Sequence, residues 1–270
     1  MKPVRVLFVL MAMLLTACSG EMTDSWPALP EALEAMDSDN GSVLVETVRV
    51  KSWGEEDANY YYVFRPAGLV PTTAFIFYPG GAVDVRAYAP PLRAIAEAGY
   101  LCFLVKMPMD LAPFGVNRAN DIIGSSDYPE ITKWAIGGHS VGGTFSCAYV
   151  KNHPDNIDGL VIWASYPSSM FDLSAADLDV VLIYGTHNPN TNDGNYPDDP
   201  DDVSEIDEKA IPYLPGDTVY VEIEGGNHSQ FGYYNTYPYP VQPEDGIAGI
   251  SRQEQQDQII DATLTFLDGL

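Results

Sequence analysis

Gly137-Gly138-His139-Ser140-Val141-Gly142-Gly143 follows the apolar run Trp134-Ala135-Ile136 and leads into a helical pattern over Thr144 to Val150. Strand, sharp turn and helix are therefore expected in that order, with Gly138-x-Ser140-x-Gly142 at the turn. This is the signature of a nucleophile elbow. A serine held at so tight a junction takes a strained backbone conformation, so its neighbours must lack bulk. The turn lifts the Ser140 hydroxyl clear of the sheet. It also leaves the Val141 N–H at a helix N-terminus, where it can stabilise an oxyanion.

Outward from this stretch, short apolar segments alternate with helical ones. Strands are expected at Ser42 to Val50, Asn59 to Phe64, Thr73 to Tyr78, Leu101 to Val105, Trp134 to Ile136, Gly159 to Trp163, Val180 to Tyr184 and Thr218 to Ile223. The first two are separated by Trp53-Gly54 and read as an antiparallel start. Helices are expected at Pro90 to Ala98, ended by Gly99, at Asn117 to Ile123, and at Ser251 to Leu267. Continuous apolar strands alternating with helices predict an α/β fold with a mostly parallel central sheet, covered by helices on both faces. Ligands of such sheets bind at the carboxyl ends of the strands.

Three loops at those ends carry chemistry. Tyr78-Pro79-Gly80-Gly81-Ala82 follows a strand, and its glycine pair lets main-chain N–H groups turn into a site; Gly81 is the first candidate for a second oxyanion donor and Ala82 the next. Gly225-Gly226-Asn227-His228 follows the last strand, so His228 can reach the serine as general base. The other histidines fit that role less well: His139 flanks the serine and is expected to point elsewhere, His153 precedes Pro154 at a helix end, and His187 lies on a different loop. An acid is expected between serine and histidine in the chain, after the strand ending at Tyr184, and Asp193 is the first one available. Asn188 in the acid's place, with Glu205 substituting, is the alternative.

The ends of the chain add a location. Lys2 and Arg5 precede an apolar run, Val6 to Leu15, too short to be a typical membrane-spanning helix. It ends Leu15-Thr16-Ala17-Cys18, which resembles the bacterial lipobox. The resemblance implies a signal peptide at residues 1–17, acylation of Cys18, a lipid-anchored tether at 18–41 with a short helix near Glu31 to Met36, and a catalytic-sized domain at 42–270. With 13 Lys and Arg against 38 Asp and Glu, the formal charge is −25. So acidic a chain repels nucleic acid and anionic membrane surfaces. Cys102 and Cys147 both read as buried, and export permits either a disulfide or two free thiols.

With these residues in view, the chain resembles a bacterial α/β-hydrolase-fold family of exported, esterase-like or dienelactone-hydrolase-like lipoproteins. The likeness runs from about residue 43 to 268. It is carried by Tyr78-Pro-Gly-Gly-Ala-Val-Asp84, Gly99-Tyr100, Lys106-Met-Pro-Met-Asp110, Gly137 to Gly143, Ile157-Asp-Gly-Leu160, Trp163-Ala-Ser-Tyr-Pro167 and Glu222-Ile-Glu-Gly-Gly-Asn-His228. It implies the α/β-hydrolase fold, Ser140 as nucleophile, His228 as base, and a small-molecule substrate of carboxyl-ester type, with no cofactor, no metal and no protein partner evident. The family pattern places its acid soon after the strand, as Gly-Thr-x-Asp-Gly, whereas here Gly185-Thr186-His187-Asn188 intervenes before Asp193-Gly194. A non-catalytic surface-exposed binding lipoprotein, or a peptidase or lyase, are the other functions this fold allows. Two further features are noted. Residues 188–202 are rich in Asn and Asp and offer oxygens for calcium. Phe231, Tyr233, Tyr234, Tyr237 and Tyr239 either wall an acyl pocket or pack on the domain, and Lys106 and Asp110 either meet substrate at the site edge or pair with each other.

Overall fold

In the computed structural model the strands from Thr73 onward all run parallel to one another, and the reason is visible in the side chains. Ala74, Ile76 and Tyr78 of one strand join a core on one face, while Phe75 and Phe77 join a second core on the other. Leu101, Phe103 and Val105 divide from Cys102 and Leu104 in the same way. Successive side chains of a strand point to opposite faces, so a wholly apolar strand must be buried twice. Helices supply both covers. The structure describes residues 25–38, 41–54, 57–167, 169–187, 210–234 and 245–270.

Among the described residues the eight strands are β1 (Val43–Arg49), β2 (Tyr60–Pro66), β3 (Thr73–Tyr78), β4 (Leu101–Val105), β5 (Lys133–His139), β6 (Gly159–Trp163), β7 (Asp179–His187) and β8 (Val219–Asn227). They lie in the order β1-β2-β4-β3-β5-β6-β7-β8. β1 and β2 are antiparallel to each other, and β2 is antiparallel to β4. β5, which carries the elbow, sits between β3 and β6 in the middle of the sheet. The fold is thus the expected mostly parallel α/β sheet. Strands β5, β7 and β8 run three to four residues further at their carboxyl ends than periodicity suggested. Glycines and a polar residue there (Gly137, Gly138, Gly185, Gly225, Gly226, Asn227) hide the pattern but still pair in the sheet.

The helices are α1 (Pro30–Glu34), α2 (Ala89–Glu97), α3 (Ala119–Ile123), α4 (Val141–Asn152) and α5 (Arg252–Gly269). α5 starts with a reciprocal capping box: the Ser251 hydroxyl accepts from the Glu254 N–H, and the Glu254 carboxylate accepts from the Ser251 N–H. Gly99 follows α2 with φ +114°, the left-handed position that ends helices.

One expectation changes and two open alternatives are decided. The domain does not begin at residue 42: Trp26 bridges to Val83, Ala28 bridges to Tyr234, and Ala32 is fully buried, so chain upstream of 42 is part of the folded body. Cys102 and Cys147 are free, and they lie in the two cores on opposite faces of the sheet. Phe231 and Tyr234 are core residues rather than pocket walls. Asn188, Asp193, Glu205, the whole 188–202 loop, Tyr237 and Tyr239 lie outside the described residues.

Candidate active site

Ser140 stands between β5 and α4 at φ 54°, ψ −126°. That region costs a non-glycine residue on the order of 1–3 kcal/mol and persists only where surrounding bonds enforce it. They do so here. The Ser140 N–H donates to the Trp163 carbonyl at 3.1 Å, and its carbonyl accepts from the Ser165 hydroxyl at 2.7 Å and the Thr144 N–H at 3.1 Å. The serine side chain makes no helix-capping bond. Val141 is the first residue of α4, so its N–H has no acceptor within the helix.

The β3–α2 loop closes on this junction. Gly80 donates its N–H to the Tyr88 hydroxyl at 3.1 Å. A side chain at Gly81 would meet Leu111 and Val141, at 3.2 and 3.5 Å from their nearest carbons, which places Gly81 directly against the residue after the nucleophile. Gly81 therefore keeps its role as candidate oxyanion donor beside Val141. Ala82 does not. Its N–H already donates to the Asp110 carbonyl at 2.9 Å, and its φ of 54° turns that N–H away toward the loop after β4. Lys106 and Asp110 form an ion pair, the plainer of the two readings.

His228 follows β8 and is 2% exposed. Its ring lies 4.4 Å, centre to centre, from that of His139, the residue immediately before Ser140. The structure thus brings His228 to the elbow, as its place after the last strand predicts. It also reverses the expectation for His139, whose ring points under the site instead of elsewhere. There it stacks on Phe231 at 5.6 Å with the planes only 4° apart. The Tyr88 oxygen already takes the Gly80 N–H, which leaves the hydroxyl proton for His139 Nδ1 at 2.8 Å. His139 Nε2 is buried and finds no acceptor among the described residues. Tyr88→Phe would strand both Gly80 N–H and His139 Nδ1 in the core. A loss of about 2 kcal/mol is expected, read as a lower urea midpoint at unchanged slope.

Three groups near His228 escape a reading of the sequence. Asp245 accepts from the His228 and Ser229 N–H groups at 2.9 and 3.0 Å, one carboxylate oxygen to each. Burial raises its pKa, against the lowering effect of those hydrogen bonds. Through these bonds Asp245 fixes the main chain of the loop that bears His228. Gln255 of α5, fully buried, accepts from the Asn227 N–H at 3.0 Å and donates to the Asn227 carbonyl at 2.7 Å. Gln256, equally buried, donates to the Gln230 carbonyl at 2.6 Å. The closing helix thus grips the histidine loop on either side of its base. The signal available in sequence was two glutamines at positions where the helical repeat calls for apolar residues.

Burial pushes the His228 imidazole down to about 4. Burial, followed by repulsion from His228, also holds His139 below the ordinary histidine value of 6.5. Both therefore fold neutral. Unfolded histidines take up protons near pH 6.5 while the folded ones do not, so stability is complete above pH 6.5 and is lost as pH falls from there toward 4. His228 alone accounts for about 3 kcal/mol across that window. Urea titrations at pH 7.5, 5.5 and 4.5 are expected to show this fall, and His228→Gln to flatten it.

The described residues contain no cluster of three or more His, Cys, Asp or Glu side chains able to hold a metal ion. Residues 74–257 match the profile of the alpha/beta hydrolase family. The dienelactone hydrolase of Anabaena variabilis, a solved structure, superposes with a TM-score of 0.59 at 15% identity, covering 84% of this chain and 98% of that one. At that identity the likeness speaks for the fold. No curated protein matches the chain. The family match spans most of the chain and takes in the elbow, the glycine loop and the histidine loop: this protein belongs to the alpha/beta hydrolase family.

Proposed function

We propose that the chain is a serine hydrolase acting on a carboxyl-ester-like substrate, ester or thioester. The observation that carries this reading is Ser140 in its strained conformation between β5 and α4, with Gly81 packed beside Val141 and His228 brought to the elbow. His228 takes the Ser140 hydroxyl proton as the oxygen attacks the substrate carbonyl carbon. The Gly81 and Val141 N–H groups hold the oxyanion that results. As the C–O or C–S bond breaks, His228 returns the proton to the leaving group. Water, deprotonated by His228, then attacks the acyl-Ser140 ester; the acyl C–O bond breaks, His228 gives that proton to the departing Ser140 oxygen, and the acid and the free serine are released. Asp193 is the proposed orienting acid; its support is its place in the chain between Ser140 and His228.

We also place the enzyme on a bacterial membrane through acylated Cys18, on the strength of Leu15-Thr16-Ala17-Cys18. From Cys18 to Ser25 the chain reaches at most about 25 Å. Because Trp26 is already docked beside Ala82, an anchor at Cys18 would hold the catalytic face close to the bilayer. Cys18→Ser is expected to release the expressed protein into the soluble fraction.

The test of the hydrolase reading is a fluorophosphonate probe applied to the chain from Ser19 onward, with the adduct located by peptide mass spectrometry. Labelling at Ser140 that His228→Ala abolishes and Asp193→Asn weakens is the expected result. A well-folded protein that takes no label at Ser140 overturns it and leaves a binding module on the same fold.

A further inference from the structure

Two loops build the site from opposite sides. One, residues 79–84, carries Gly81; the other, residues 228–234, carries His228. The N-terminal segment is bonded to both. The Trp26 N–H donates to the Ala82 carbonyl at 2.8 Å, and the Trp26 carbonyl accepts from the Asp84 N–H at 2.9 Å, so Trp26 pairs in parallel with Val83. Two residues on, Ala28 pairs antiparallel with Tyr234, and the Leu29 N–H donates to the Tyr233 carbonyl at 2.8 Å. The Trp26 ring stacks on Tyr234 at 5.5 Å and 15°. Beyond this, α1 buries Ala32, and the Arg93 guanidinium donates to the carbonyls of Ala35 and Asp37 at 2.8 and 2.7 Å.

The loop held in this way is strained. Ala82 in it, and Met109 and Asp110 in the facing loop after β4, all have φ between 52° and 54°, in the left-handed region that side chains resist. Ala82 is bonded on both sides: its N–H to Asp110, its carbonyl to Trp26. Asp110 in turn accepts from the Ser25 hydroxyl and pairs with Lys106. A strained loop keeps its shape only while its surroundings over-determine it, and much of what surrounds this one is the segment from Ser25 to Trp26.

We propose that residues 25–37 form a strap that positions the site, fastening the oxyanion loop to the loop bearing His228 and thereby setting the rate of turnover. The fastening stands on the bonds above; its consequence for rate rests on the hydrolase reading. Small misplacements of an oxyanion donor or a base cost rate far more than they cost binding, so release of the strap acts on kcat.

The test compares the chain from Ser19 onward with Trp26→Pro, which removes the N–H and the ring, and with Leu29→Pro. Leu29 already has φ −69°, ψ 159°, so proline fits there and deletes chiefly the bond to Tyr233. Hydrogen exchange is read at Ala82, Asp84 and Tyr233, with Ala135 and Ile136 of β5 as reference, alongside kcat and KM for a soluble ester. Expected in both variants are exchange at least about tenfold faster in the loops they free, β5 unchanged, kcat lower by about tenfold and KM within about twofold. Trp26→Phe, which keeps the N–H and an aromatic ring, is expected to restore kcat. Unchanged loop exchange, exchange that rises equally in β5, or freed loops with unchanged kcat would each overturn the strap. Should wild type prove inactive and unlabelled at Ser140, the hydrolase reading falls, and the exchange pattern alone still decides whether the fastening exists.

Discussion

Ser140→Ala is expected to lower kcat/KM for a p-nitrophenyl ester by about 10⁴-fold or more while leaving the fold intact. The two halves of this expectation have different causes. Activity falls because the covalent route needs the hydroxyl oxygen, and nothing else at the elbow supplies one: Gly138, His139, Val141 and Gly142 carry no hydroxyl. Stability holds because the Ser140 side chain caps no helix N–H, and the bonds that enforce its backbone run through its N–H and carbonyl, which alanine keeps. A residual rate from the oxyanion donors alone is expected above the uncatalysed reaction. Thermal unfolding within a few degrees of wild type, together with the lost rate, is the confirming pair. A variant that retained even a tenth of the activity would move the nucleophile elsewhere.

Gly142→Ala is expected to act in the opposite way, through the fold. A Cβ at Gly142 would lie 2.1 Å from the Tyr78 carbonyl oxygen and 2.4 Å from that of Pro79. Both are backbone atoms, one at the end of β3 and the other in the glycine loop, so no side chain can swing aside. Relief requires α4 to lift from the sheet or β3 to leave its pairing with β5. Either costs more than about 4 kcal/mol, a large share of the stability of an ordinary domain. The variant should be insoluble or melt far below wild type, and any soluble fraction should take no fluorophosphonate label. Gly216→Ala is the control: a Cβ there meets nothing within 4 Å, and its midpoint should stay within about 0.5 kcal/mol of wild type. If Gly142→Ala folded normally, the close approach of α4 to β3 would be wrong.

The sheet was legible because each strand states its burial locally. Leu101 to Val105 and Gly159 to Trp163 are apolar at every position, and only a strand covered on both faces uses such a run. The elbow was legible for a similar reason, since its strain must be relieved by glycines within two residues of Ser140. His228 could be found from its position after the last strand. The carboxyl ends of β5, β7 and β8 were missed because glycine and asparagine pair there without an apolar signature. The boundary at residue 42 was misplaced because Ser25 to Asp37 is interrupted by Pro27 and Pro30 and has no strand pattern, and its attachment runs largely through main-chain bonds that composition does not record.

What the sequence by itself determined is therefore the parallel sheet, the turn that exposes Ser140, and which histidine stands at the end of the last strand. These follow from patterns a few residues long. Only the tertiary structure decided that the Ala82 N–H is spent on Asp110, that His139 turns under the site to meet Tyr88, and that Asp245 and Gln255 hold the loop of His228. Only it decided that the N-terminal segment binds both loops of the site. The physical reason is the same in each case. A hydrogen bond between residues 17 to about 200 positions apart leaves no periodicity in either partner's neighbourhood, and it exists only once the sheet has brought the two together.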